Sequence, residues 1–233
     1  MDGYVLHLGV VDYVEAWDLQ RSLAAAVLQG AIPDTVLFLE HPPTVTLGRR
    51  TAPAEVHVPA GAEVAVVETD RGGRSTYHGP GQLVCYPILD LKRHGKDVKR
   101  YCRDLEEAVF GTLAAFGVEG TRIEGLTGVW VSPPPRKIAS IGVHISRWVT
   151  MHGYALNVDL DPAPFTDWIT ACGLEDAAFT SLALETGRPL SFDEVRSAAS
   201  RALAAVFDLE LSELPGNDPG LWAQPLHAQL ASR

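Results

Sequence analysis

Residues 71–88, RGGRSTYHGPGQLVCYPI, decide how the rest of the chain is read. Gly72, Gly73, Gly79 and Gly81 punctuate a stretch that carries Arg71, Arg74, Ser75, Thr76, Tyr77, His78 and Gln82, and it then enters the apolar run Leu83–Ile88. Glycine lets backbone approach a ligand closely or take positive φ, so polar side chains threaded between glycines describe either a loop shaped around a small molecule or a glycine-rich hairpin. Neither a G-x-G-x-x-G nor a GK[ST] pattern is present, and nothing here indicates a nucleotide phosphate cradle.

Upstream of this stretch, the alternation over Tyr4–Val11 predicts a first strand. Val14, Trp17, Leu23, Val27 and Leu28 then recur at helical spacing and predict an amphipathic helix from Tyr13 to Gly30. Asp34–Glu40 and Thr44–Gly48 read as strands separated by His41-Pro42-Pro43. Glu63–Thr69 reads as the strand that delivers the chain to Arg71. Downstream, a helix is expected over Val98–Phe116, with Cys102, Leu105, Val109, Leu113 and Phe116 as its buried stripe. Gly128–Val131, Ile138–Ile145 and Met151–Val158 follow as β runs. Pro162–Cys172 reads as a short helix, and Ser191 with Glu194 has capping-box spacing before a helix to about Phe207. Strands and helices in this irregular order predict an α+β domain with a mixed, mainly antiparallel sheet flanked by helices. A single catalytic domain is expected over residues 1–211, with an irregular C-terminal tail over 212–233.

Composition narrows the function classes. A chain of 233 residues that is 46% hydrophobic can bury roughly 70–75% of its unfolded surface. The three cysteines, Cys85, Cys102 and Cys172, have no C-x-x-C spacing, which argues against a disulfide framework or a zinc site and for a reducing cytoplasm. No run approaches the roughly 18 apolar residues of a membrane span. The net charge of -10 argues against nucleic-acid binding. Against that acidic background, Lys92–Arg103 concentrates Lys92, Arg93, Lys96, Lys99, Arg100 and Arg103 around the single acid Asp97.

Two side chains are candidates for chemistry. Lys137 heads KIASIGVHI, where a two-residue period would set it on one face with Ala139, Ile141, Val143 and Ile145. Burial there would disfavour an ammonium and make the amine available as a base; the alternative is a strand-end lysine that reaches to water. Cys172, in TACGLED, lies beside Gly173 and near polar residues, and is either a nucleophile or a buried structural thiol. Cys85 and Cys102 fall on apolar stripes and read as core. His41, His78, His144 and His152 show neither HExxH nor a tight pair, so no metal is expected.

Taken together, these pieces resemble the octanoyltransferases of lipoate synthesis (the LipB family of lipoyl(octanoyl) transferases). The run RGGRSTYHGPGQLVCY carries R-G-G, T-aromatic-H, G-Q and a later tyrosine, Tyr86, in that family's order. LEHPPTVTLGRR (39–50), RKIASIGVHI (136–145), HGYALNV (152–158) and the TACGL to TSL segment (170–182) follow its other motifs. A proline usually precedes the cysteine, where Ala171 stands here.

The resemblance implies the fold of biotin and lipoate protein ligase catalytic domains. It implies transfer of an octanoyl group from acyl carrier protein to a lysine on lipoyl domains of 2-oxoacid dehydrogenases and on the glycine-cleavage H protein. It implies Cys172 as acyl-thioester nucleophile and Lys137 as its proton-transfer partner. Arg71, Gly72, Gly73, Arg74, Ser75, Thr76, Tyr77 and His78 would line the acyl site, with Ser140, Ile141 and Gly142, and with Gly153, Tyr154 and Ala155. Neither ATP nor metal would be needed, and the enzyme is expected as a cytoplasmic monomer without nucleic-acid or membrane partners. Three alternatives stand beside this reading: an ATP-dependent lipoate or biotin ligase on the same fold, a non-catalytic carrier-binding module, and a cysteine hydrolase. The basic segment 92–103 is then either a solvated helix face or a docking patch for the acidic carrier protein.

Overall fold

A computed structural model describes residues 1–170 and 178–214. Strand β1 (Asp2–Val10) is followed by helix α1 (Tyr13–Leu28), then β2 (Asp34–Glu40), β3 (Thr44–Leu47), β4 (Ala65–Glu68), β5 (Thr76–His78) and β6 (Gln82–Ile88). Helix α2 (Val98–Ala114) leads to β7 (Thr121–Ile123), β8 (Leu126–Val131), β9 (Arg136–Ser146) and β10 (Val149–Asn157). The chain continues through α3 (Pro164–Asp167), β11 (Ala178–Phe179), α4 (Leu182–Thr186), α5 (Phe192–Phe207) and β12 (Glu210–Glu213).

Among the described residues the main sheet runs β12-β1-β2-β6-β10-β9-β8-β7, with β11 added on β9, and a smaller sheet runs β4-β3-β5. β1 pairs in parallel with β2 and β12, and β11 with β9, whereas β2, β6, β10, β9, β8 and β7 are joined antiparallel. This is the mixed, mainly antiparallel α+β architecture that the order of elements predicts.

The unbroken apolar runs of β2 and β6 reflect burial on both faces. Val36, Phe38, Leu83 and Cys85 face one core with Leu105, Val109 and Leu113 of α2 and Val195, Ala199 and Leu203 of α5. Leu37, Leu39, Val84 and Tyr86 face the other, against Ala16, Leu23 and Val27 of α1. The two-residue period of a strand therefore fills two cores at once, and α1 lies across the sheet from the packed pair α2 and α5. Helix starts follow cap chemistry: Asp12 accepts from the amides of Val14 and Glu15, Asp97 from Lys99 and Arg100, and Ser191 from Glu194.

Three local expectations change. Val14 of α1 is exposed, and Tyr13, Ala16 and Gln20 take the buried face instead. Cys102 is half-buried rather than core, because Tyr101 occupies the inward position on α2. In β9 the period breaks: Val129 pairs with Ala139 but Trp130 with Lys137, so Ile138 is an extra residue and Lys137 leaves the phase of Ala139 and Ile141. At the C-terminal end, β12 crosses the 211/212 boundary and pairs with β1, and the amide of Leu214 donates to the Val5 carbonyl. Residues 215–233 of the expected tail lie outside the described residues. No helix among the described residues is long and apolar enough to cross a membrane.

Candidate active site

A cavity of about 280 Å³ opens between the glycine-rich loop and the main sheet. Its lining takes in residues 71–76 and His78 on one side, Lys137 and residues 140–143 of β9, and residues 152–155 of β10. Val84 and Tyr86 of β6, Tyr13 of α1, Arg50, Cys102 of α2 and residues 125–127 complete the wall. The two strand segments implied by the resemblance are cross-strand partners: Gly142 faces Gly153, Ile141 faces Tyr154, and Ser140 faces Ala155.

The loop is held by Arg71, a buried guanidinium. Its Nε and Nη2 donate to Thr46 Oγ1 at 3.2 and 2.7 Å, Nη2 also to the Thr46 carbonyl at 2.7 Å, and Nη1 to the carbonyls of Gly72 and Arg74 at 3.1 and 2.8 Å. The rigid fork of arginine thus clamps the loop to β3 in a way that a lysine's point charge would not reproduce. The Gly72 amide donates to the Val143 carbonyl at 2.9 Å, which ties the loop to β9 as well. Arg74 pairs with the buried carboxylate of Glu55. Ser75, also buried, presents a hydroxyl that has no partner among the described residues. A Cβ on Gly153 would fall on the Cys85 carbonyl, so only glycine lets β10 and β6 approach this closely beneath the loop.

Tyr77 is the member of 71–78 that leaves the cavity. Alternation along β5 turns it to the opposite side, where its ring stands edge-on to Phe165 and Trp168 at 5.8 and 5.5 Å.

Lys137 is buried at 3% exposure and still lines the cavity. Its Nζ lies 5.6 Å from the centroid of the Trp130 ring, within cation–π range. Gly128, at φ +119°, makes room for it: a Cβ there would come within 2.7 Å of Lys137 Cε and 2.6 Å of the Ala139 carbonyl. Cys172, the expected nucleophile, lies outside the described residues, as does the Ala171 before it. The described residues on either side of 171–177 are both anchored. The Thr170 amide donates to the Glu55 carbonyl at 2.9 Å, and β11 pairs Ala178 with Arg136 and Phe179 with Lys137.

Behind the cavity runs a chain of buried hydrogen bonds. His78 Nδ1 donates to Gln82 Oε1 at 2.8 Å, Gln82 Nε2 to Asn157 Oδ1 at 2.9 Å, and Asn157 Nδ2 to the Thr180 carbonyl at 2.9 Å. Burial holds His78 well below the ordinary histidine range, so its neutral ring donates on one side and offers Nε2 to Thr46 Oγ1, 3.4 Å away, on the other. His41 is likewise pushed down by burial, to about 4; it donates Nδ1–H to the Val11 carbonyl at 2.7 Å and accepts from the Tyr86 hydroxyl at 2.8 Å. His152 is lowered by burial too, although Asp70, 2.8 Å from its Nε2, pulls the other way. Its φ of 55° is strained for a residue with a side chain, and Gln20 secures it by accepting from the His152 amide at 2.7 Å.

Sequence reasoning missed Tyr13, Arg50, Tyr86, Cys102 and residues 125–127 as cavity residues. Each lies on an element whose pattern reads as core or turn, and only the tertiary fold turns it toward the site. His152 opens the quoted HGYALNV segment and was left without a role there.

A mixed sheet backed by helices on both faces, with a cavity under a glycine-rich loop, is the fold shared by lipoate and biotin protein ligases. The bi-partite lipoate protein ligase of Thermoplasma acidophilum shares the fold at TM-score 0.74 with 17% identity, over 97% of this chain and 92% of that one. The biotin protein ligase of Aquifex aeolicus does so at TM-score 0.53 with 14% identity, over 89% of this chain and 70% of its own. The chain itself belongs to the lipoyl protein ligase A/B catalytic domain family, whose pattern matches residues 12–204. Among its relatives, the octanoyltransferase of Chloroflexus aggregans is 50% identical over 88% of this chain and 95% of its own length. That of Mycobacterium leprae is 50% identical over 88% of this chain and 87% of its own.

Proposed function

We propose that the chain moves an octanoyl group from acyl carrier protein to a specific lysine of lipoyl domains, on 2-oxoacid dehydrogenases and the glycine-cleavage H protein, through an acyl-thioester on Cys172 with Lys137 as proton carrier. Acyl transfer of the octanoyltransferase type in protein lipoylation is supported by 50% identity to octanoyltransferases over most of the chain. The observation that carries the mechanism is a buried lysine on the cavity wall whose strand is paired, at β11, with the chain that follows the cysteine segment.

In the first half-reaction Lys137 takes the Cys172 proton. The thiolate attacks the thioester carbonyl carbon, the bond from that carbon to the pantetheine sulfur breaks, and the lysine returns its proton to the departing sulfur. In the second, the acceptor lysine loses one proton to solvent and attacks the acyl-cysteine as a neutral amine, giving a second proton to Lys137 as its bond to the carbonyl carbon forms. The carbon–sulfur bond to Cys172 breaks, and the proton passes to the cysteine thiolate. The Ser75 hydroxyl and the amides of residues 73–75 are the donors offered to the oxyanion, the Gly72 amide being spent on the Val143 carbonyl. Thioester exchange is close to isoenergetic and amide formation runs downhill, so the proposed reaction needs neither ATP nor metal and suits a cytoplasmic enzyme. The alkyl chain binds against Val84, Ile141, Val143 and Ala155, its seven carbons beyond the carbonyl contributing about 6 kcal/mol at ~0.8 kcal/mol each.

The test is to mix the protein with octanoyl-acyl carrier protein and an apo lipoyl domain in nucleotide-free buffer and weigh the acceptor. Gain of one octanoyl group on the acceptor lysine is the expected result. Acylation that starts only when ATP and free octanoate are added overturns the reading in favour of a ligase.

A further inference from the structure

The basic run Lys92–Arg103 divides in two in the folded chain. His94 turns inward onto the buried carboxylate of Asp34 at 2.7 Å, while Arg93 and Arg103 stay exposed but are engaged by buried carboxylates, Arg93 by Asp34 at 2.5 Å and Arg103 by Glu106 at 2.7 Å. Lys92, Lys96 and Lys99 are exposed and enter no ion pair among the described residues; Arg100 is exposed beside Asp104 at 3.6 Å. The acids within this surface are Asp104, beside Arg100, and Asp90 and Asp97, which cap the amides of Lys92 and of Lys99 and Arg100.

The surface extends across a second segment. The hairpin joining β9 to β10 turns at Arg147 and Trp148, both with positive φ (51° and 72°), in a two-residue connection whose geometry favours Asn-Gly. The Trp148 carbonyl accepts from the Leu91 amide at 2.8 Å, and the Leu91 carbonyl accepts from the Lys96 amide at 2.8 Å. These bonds join the hairpin tip to the basic loop. Trp148 is 38% exposed and Val98, at the start of α2, is 44% exposed, two of the few large apolar side chains left open to solvent. Lys96 is strained as well, at φ 52°, so three of the five non-glycine residues with positive φ among the described residues lie on this one surface. One turn along α2 from Val98, Cys102 lines the cavity.

We propose that this surface, with Trp148 and Val98 as apolar anchors and Lys92, Lys96, Lys99, Arg100 and Arg147 as a basic rim, docks the acidic carrier protein that presents the acyl thioester. The proposal rests on the transfer reaction proposed above. An aromatic anchor ringed by cations fits an acidic helical partner, which the rest of a chain of net charge -10 repels. The donor fits better than the acceptor for a reason of reach. A carrier hands over its acyl group on a long flexible phosphopantetheine arm, so it can sit on the flank of the cavity, whereas an acceptor lysine has only its own side chain and requires its domain over the mouth.

The test compares wild type, the triple variant Lys92→Glu/Lys96→Glu/Lys99→Glu, and Trp148→Ala, with thermal unfolding to establish that each folds. Titration of holo-acyl carrier protein is expected to show at least tenfold weaker binding to both variants, and rising salt should weaken binding to the wild type but not to the triple variant. KM for octanoyl-carrier should rise at least tenfold, while KM for octanoyl-pantetheine and for the apo lipoyl domain stays within twofold. Equal carrier binding by wild type and variants, or a KM increase confined to the lipoyl domain, overturns the docking surface while leaving the transfer reaction standing. Failure of the wild type to accept octanoyl from the carrier overturns both.

Discussion

The amide of Thr180 donates to the carbonyl of Lys137 at 3.0 Å, and the Thr180 carbonyl accepts from Asn157 Nδ2 at 2.9 Å. One residue thus couples the lysine strand to the buried chain His78–Gln82–Asn157 behind the cavity. On the same segment the Thr180 hydroxyl donates to Glu185 at 2.6 Å, and Glu185 is paired in turn with Arg136, the neighbour of Lys137. Three atoms of one threonine are thus held on three elements: its amide on β9, its carbonyl on Asn157 of β10 and its hydroxyl on Glu185 of α4.

Asn157→Ala removes both bonds of a buried amide: the Thr180 carbonyl loses its side-chain donor, and Gln82 Nε2 keeps only its 3.2 Å bond to the Tyr77 carbonyl. The cost is expected at about 2–4 kcal/mol of unfolding free energy, since a stranded buried polar group loses about 1–3 kcal/mol. Urea unfolding measures it, and octanoyl transfer should fall at least tenfold in the variant at a temperature where it remains folded. Unchanged stability would show that Asn157 is not held as described.

Gly128→Ala strains the backbone at φ +119° and pushes a methyl group against Lys137 Cε. Transfer is expected to drop at least tenfold in kcat. KM for a small octanoyl thioester should change little, because the methyl group meets the lysine rather than the acyl wall. A variant with wild-type kcat would detach Gly128 from the lysine's position.

Cys102 lines the cavity, so Cys102→Leu would take space from an acyl chain bound as proposed, while Cys102→Ala would not. The leucine variant should shift preference toward hexanoyl over octanoyl thioester by a few-fold per methylene excluded, the scale set by about 0.8 kcal/mol for each buried CH₂. The alanine variant should keep the wild-type profile. A profile identical in all three would place the chain's path elsewhere in the cavity.

Burial lowers the pKa of His41 from 6.5 to about 4, so the unfolded chain binds a proton in that interval that the folded chain refuses. The stabilisation is whole above about pH 6.5 and is lost as pH falls toward 4, by about 3 kcal/mol. His78 and His152 are shifted in the same direction and add to the slope. Denaturant unfolding between pH 7 and 4 should show a shallower decline for His41→Gln than for the wild type; parallel declines would contradict a buried neutral His41.

The fold was legible wherever the pattern was long and regular. Asp34–Glu40 is a strand over the residues that its apolar run marks, and Asp97 and Ser191 start helices where a carboxylate or hydroxyl precedes a periodic stretch. Lys137 was legible as a residue of interest but not its phase, because the bulge at Ile138 depends on the pairing with β8 and leaves no local trace. The glycine segments pointed to the cavity, while Tyr77 departs because alternation in a three-residue strand is visible only once its partner β3 is known. Tyr13, Tyr86 and Cys102 were hidden for a related reason: an apolar stripe names the face of an element, and a cavity cut into that face looks the same in sequence. The basic run 92–103 announced its charge, but which of its cations are already paired depends on the folded positions of Asp34, distant in sequence, and Glu106, one helical turn away.

The central claim is that Cys172 carries the acyl group between donor and acceptor. Intact-protein and peptide mass spectrometry after incubation with octanoyl-acyl carrier protein, in the absence of ATP and acceptor, tests it most directly. The account predicts one octanoyl adduct on the peptide containing Cys172. The adduct should disappear when an apo lipoyl domain is added, be absent in Cys172→Ala, and persist in Cys85→Ala and Cys102→Ala. An adduct on Cys85 or Cys102, or acceptor modification that proceeds undiminished in Cys172→Ala, would contradict it.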